Sequence, residues 1–133
     1  MGQQDKTAPK FTPGPWMTLP EEVDRSYVRI RGTQPGSRYK IANVLTPVYE
    51  GVHEREAEET RANARLIAAT PDLFEALHAA RRLVAEDRAS LFACHLNPRT
   101  GVVDDDLGKI ALAEYDAVLA QIDAAIVKAV GSV

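Results

Sequence analysis

Histidine, cysteine and clustered carboxylates are the side chains through which this sequence could do chemistry. There are three histidines and one cysteine. His53-Glu54 has the start of a helical zinc-protease motif, but the second histidine would have to stand at position 57, which is Ala57. Cys94 and His95 are adjacent, and no second Cys-His pair completes a tetrahedral site. His78 and Arg82 share one helix face, the usual arrangement of a solvated surface. Asp104, Asp105 and Asp106 could gather a cation. They equally suit a helix start, where acidic groups meet the positive end of the dipole. A calcium loop would add a glycine and a bidentate glutamate at fixed offsets, and both are missing. Gly32, Gly36, Gly51, Gly101 and Gly108 are scattered and form no phosphate loop. Nor is there a nucleophile elbow. The expectation is a protein that is not an enzyme, holds no metal and carries no cofactor.

Two groups of residues suit binding instead. Residues 26–31 alternate, with Val28 and Ile30 on one side and Tyr27, Arg29 and Arg31 on the other. If Tyr39 and Ile41 face the core with Val28 and Ile30, then Arg38 and Lys40 join the arginines on the opposite face. Guanidinium groups beside an aromatic ring can hold phosphates and stack a base. The plainer reading is a charged solvent face. A slip of one residue would put Ala42 and Val44 inside instead. The second group centres on Asn63, one turn before Leu66 and Ile67 and expected at the edge of the core. Its amide either bonds to a neighbouring strand or reads the polar edge of a ligand. Arg61 and Arg65 flank it. They could face an anion, or Arg61 could pair with Glu58. Trp16, the only tryptophan, either anchors the N-terminal segment or stacks a ligand.

The positioning elements follow from pattern. Residues 1–12 are polar, without periodicity, and are expected to be a disordered arm. Pro13-Gly14-Pro15 is turn chemistry. Strands are expected near 26–31 and 38–45, with a short third at 47–52, making a small antiparallel sheet. Helix formers then dominate. Pro71 disfavours the α conformation at Thr70, so one helix should end near Ala69 and a second start at Pro71 with Thr70 as its N-cap. A single helix kinked at Pro71 is the alternative. The first helix should bury Ala62, Leu66 and Ala69. A loop is expected at 95–101 and a third helix over 105–130, with a seam through Leu107, Ile110 or Ala111, Tyr115, Val118, Ile122 and Ile126. The fold class is α+β, with two to three helices on one sheet face, in a single domain over 13–133.

The 133 residues carry a net charge of -3, which gives bulk charge no argument for nucleic acid. One cysteine allows no intrachain disulfide, and no apolar run approaches a membrane span. A cytoplasmic location is expected, with neither membrane nor nucleic acid as a partner.

Three stretches carry a resemblance: Phe11 to Trp16, Ile41 to Val44, and Glu59 to Leu77. In order and spacing they resemble a family of small phage and prophage proteins with a Gly-Pro-Trp motif, an Ile-Ala-x-Val strand and an Ala-Asn-Ala helical corner. Thr70 and Phe74 stand where the family usually has Ala and Leu. A more distant resemblance is to the Thoeris anti-defence sponge, a phage protein that sequesters a cyclic ADP-ribose signal. It implies a host-cytoplasmic protein that binds a small nucleotide-derived ligand without catalysis, as a homo-oligomer. The ligand residues would be Arg29, Arg31, Asn63, Arg65, Trp16 and Tyr27. The alternative is a phage accessory protein that binds a host protein or DNA through the basic sheet face.

Overall fold

The computed structural model describes residues 10–35, 40–46 and 53–131. Three strands and three helices follow in order: β1 (Trp16–Thr18), β2 (Tyr27–Gly32), β3 (Lys40–Leu45), α1 (His53–Ala68), α2 (Thr70–His95) and α3 (Asp106–Val130). This is the expected α+β arrangement of an antiparallel sheet followed by helices. The chain divides into two compact units, one ending at Phe74 and the other beginning at Glu75.

The first unit holds the sheet, in the order β1-β2-β3 with antiparallel pairing throughout. β1 had no counterpart in the pattern, because three residues are too few to display a period of two. The strand expected at 47–52 lies outside the described residues. In β2 the alternation holds: Val28 and Ile30 are buried, and Ile30 is fully so. β3 takes the other register. Val44 lies opposite Val28, and Ala42 opposite Ile30, so both face inward. Between Ala42 and Lys40 the register shifts, leaving Ile41 as the extra residue of a bulge. Ile41 also packs on the core, so the bulge seats two neighbouring residues of one strand against it. Tyr39 and Arg38 lie outside the described residues.

α1 covers this inner face with Ala64 and Ala68, one turn apart and both buried, beside buried Thr60 and half-buried Ile67. That differs from the expected seam: Ala62 is exposed and Leu66 is 62% exposed. Small side chains win the inward positions because they let the helix axis approach the sheet. The break before α2 falls where Pro71 demands it. Thr70, however, is not an N-cap. It is already helical, its hydroxyl donates to the Leu66 carbonyl at 3.1 Å, and the Leu73 amide bonds to Ala69. Thr70 thus back-bonds to the preceding turn, which leaves its oxygen turned away from the amides of α2.

The N-terminal segment clamps this corner. A Cβ on Gly14 would lie 2.6 Å from Pro71 Cβ. Phe11 meets Trp16 and Phe74 edge to face, with centroids 6.3 and 5.2 Å apart. Trp16 donates its indole N–H to the Thr12 carbonyl, and Thr33 and Gln34 hold the carbonyls of Pro15 and Gly14.

The second unit is a helical hairpin. Its α2 and α3 portions are tied by bidentate pairs between Arg81 and Asp123 and between Arg88 and Asp116. Ile122 is buried and Tyr115 and Ile126 are half-buried, as expected, and of the alternatives Ile110 and Ala111 it is Ala111 that turns inward; Leu107, Ile110 and Val118 are 78%, 60% and 44% exposed. At the turn Asp105 caps α3, accepting from the Gly108 amide at 2.8 Å and meeting His95 Nδ1 at 2.9 Å. The acidic run is therefore a helix start.

Substituting Gly14→Ala drives a methyl into Pro71 and should cost about 1–3 kcal/mol of unfolding free energy, as overpacking does, measured by urea denaturation. The Gly108 amide, then the His95 contact, hold Asp105 below the usual carboxylate range, and Arg88 and Arg81 do the same for Asp116 and Asp123. Carboxylates depressed by folding stabilise above that range and lose the contribution as pH falls through their lowered values. Hairpin stability should therefore drop in acid. Asp105→Asn should flatten that drop in a pH series of denaturation curves.

Candidate functional site

The inner face of the sheet is closed by α1, so a hollow between sheet and helix must open at an edge. One does, beside β1. Leu19 donates its amide to the Arg29 carbonyl, which fixes the ladder phase. By the alternation of an antiparallel pair, Thr18 turns its own amide and carbonyl to the free edge. Two adjoining concavities lie between that edge and α1. One, of about 450 Å³, is lined by Met17 to Glu21, Val28, Arg61 and Arg65. The other, of about 380 Å³, is lined by Trp16 to Thr18, Arg65, Ala68, Ala69 and Asp72. A third, of about 660 Å³, lies on α1 itself and is lined by Arg55, Glu58, Glu59, Arg61, Ala62 and Arg65.

Arg65 borders all three. It is exposed, and its side chain makes no hydrogen bond or ion pair among the described residues. Arg61, one turn earlier, is committed: its Nε lies 2.9 Å from Glu21 Oε2. The partner is not Glu58, as helical spacing suggested, but a residue forty positions away on the β1–β2 connection. That contact raises the Arg61 pKa, chiefly through the hydrogen bond to Glu21.

Of the six residues read as ligand contacts, the structure brings Trp16 and Arg65 to one concavity. The others lie apart from it. Arg29 occupies the outer side of β2, where it meets Glu22 at 2.8 Å and the Pro20 carbonyl at 3.2 Å. Glu22 also binds Arg25 at 2.6 Å, and Arg25 in turn donates to the Tyr27 hydroxyl and lies 5.8 Å from its ring centroid. Tyr27 and Arg29 thus belong to the network that shapes the β1–β2 connection. Arg31 donates to the carbonyls of Ile30 and Ala42 at 2.8 and 3.2 Å, which stitches β2 to β3. Asn63 is exposed and not at the core edge. A step of 100° per residue puts it about 200° from Arg65, with buried Ala64 between them. Asn63 and the two arginines therefore stand on opposite flanks of α1.

Sequence reasoning missed Thr18, Glu21 and Asp72 as lining residues. The first needed the unrecognised strand, the second a long-range contact, and the third the placement of the α1–α2 junction beside β1. Among the described residues no group of three or more histidines, cysteines or carboxylates could hold a metal ion, and Cys94 is exposed and free. No helix among them is long and apolar enough to cross a membrane.

A family model described as Salmonella phage P22 protein Y8K6 matches residues 3–133. The chain belongs to this phage protein family. The match takes in the sheet, the Pro71 corner and the helical hairpin alike, so the phage affiliation implied by the three sequence motifs holds. No curated protein and no solved structure matches the chain.

Since Arg65 has no partner to lose and Arg61 has one, their alanine variants should differ. Arg65→Ala should melt with the unmodified protein, whereas Arg61→Ala should melt slightly lower and Glu21→Ala should match it. Thermal unfolding of the three variants checks this.

Proposed function

We propose that this phage protein is a non-catalytic binder of a small anionic, nucleotide-derived molecule, and that it acts by keeping that molecule from its receptor. The observation that carries this reading is Arg65, a guanidinium with no intramolecular partner among the described residues, on the shared wall of two adjoining concavities. An unpaired arginine is a ready bidentate donor to a phosphate. The two volumes are in the range of small-molecule sites. Trp16 supplies an aromatic edge, and Thr18 supplies free backbone groups that can fix a base or ribose. A cyclic ADP-ribose isomer has the matching chemistry of phosphates, adenine and ribose hydroxyls. Binding alone would suffice for sequestration, in the host cytoplasm where such signals are made. Under this reading the ligand site moves from the outer sheet face to the β1–α1 edge, because Arg29 and Arg31 already serve the fold.

A second reading, a host protein as partner, is favoured by the same free edge of β1, which could accept an added strand. DNA binding through the outer face is the weaker alternative, since Glu22 and backbone carbonyls occupy its arginines.

Thermal shift with cyclic ADP-ribose isomers and cyclic dinucleotides tests the proposal, followed by heat release and recovery of intact ligand. A rise in melting temperature with at least one of them is expected, and Arg65→Ala should weaken that binding at least tenfold. Absence of any shift across the set would remove the small-molecule reading. A salt-sensitive gel shift would favour the DNA alternative instead.

A further inference from the structure

The second unit carries an exposed stripe on α3, bordered by α2 only where Glu114 lines a shallow hollow with Val84. Leu107, Ile110, Glu114, Ala117, Gln121, Ala124 and Lys128 follow one another at steps of three and four residues without interruption, and all are exposed. That is heptad spacing, with Leu107, Glu114, Gln121 and Lys128 at one core position and Ile110, Ala117 and Ala124 at the other. It is distinct from the inward seam of Tyr115, Ile122 and Ile126, and from Asp116 and Asp123, which bind α2.

The charges on this stripe say what fits it. Glu114 and Lys128 have no charged residue three or four positions away along the helix. They form no ion pair among the described residues. They stand fourteen residues apart, about 21 Å at 1.5 Å per residue, too far to meet within one helix. In a parallel pair of identical helices Glu114 would face Glu114, and Lys128 would face Lys128. In an antiparallel pair the first core position of one helix lies against the second of the other. Glu114 then fits between the partner's Gln121 and the partner's Lys128, and symmetry makes the contact twice. Ala117, Ala124 and Ala125 offer no bulk to hold the axes apart. A stripe whose two isolated charges are each satisfied by the other's copy is self-complementary, as a two-fold interface requires.

We infer that α3 is the seam of a homodimer, pairing antiparallel with α3 of a second copy through Leu107, Ile110, Ala117 and Ala124, with Glu114 and Lys128 setting direction and register. The occupant is a second copy of this chain, because a foreign helix would have to reproduce the same charge spacing in reverse.

Sedimentation equilibrium of the full chain tests this, with circular dichroism confirming that each variant stays helical. The wild-type protein should be dimeric. Glu114→Lys and Lys128→Glu should each weaken the dimer at least tenfold, and the double reversal should restore it. Zero-length carbodiimide coupling should give a covalent dimer whose linked peptides join Glu114 to Lys128. A monomeric wild-type protein would overturn the inference. So would a dimer indifferent to either reversal, a double variant no tighter than the singles, or coupled dimers lacking the 114–128 link.

Discussion

The first unit turns on the approach of Gly14 to Pro71. The missing side chain of one lets the ring of the other lie where a methyl would sit, 2.6 Å from where a Cβ would stand. Because Pro71 stands in the first turn of α2, just past the end of α1, that contact ties the N-terminal segment to the junction of the two helices. Trp16 then reaches the core beside Ala64 and Ala68, and Phe11 closes over Phe74. Two of the stretches by which the chain resembles a phage family, Phe11 to Trp16 and Glu59 to Leu77, meet at this contact, and the third, Ile41 to Val44, packs on the same core.

Much of the fold was legible because it is local. The alternation in β2, the helix break at Pro71 and the capped start of α3 each rest on residues within a turn or two. Two misreadings on α1 show where local pattern fails. Leu66 has the stronger hydrophobic preference, yet Ala64 takes the buried position, because separation from the sheet and not transfer energy decides which residue fits. Asn63 followed Leu66 outward for the same reason. The register of β3 depended on a bulge at Ile41, which period-two reasoning has no means of locating.

The site was less legible than the fold, and the reason is partnership. Arginine on a strand advertises anion binding only while its partners are unknown. Glu22 lies seven residues before Arg29, and Glu21 forty before Arg61, so neither pairing follows from helical or strand spacing. What separates Arg65 from its neighbours is the absence of such an acceptor among the described residues. That property exists only in three dimensions.

The ion pairs of the hairpin carry one more consequence. Both place the arginine on α2 and the aspartate on α3. Such a charge-sorted seam cannot tell its own α3 from one donated by another molecule. Selection of the intramolecular partner falls to the short connection between the helices. There Asn97 accepts from the Gly101 amide, Gly101 adopts a φ of 73°, and Leu96 bridges Val103. A covalent connection of this kind sets the effective concentration of the native mate against that of a second molecule. The connection, more than the salt links it brings together, keeps each hairpin within a single molecule.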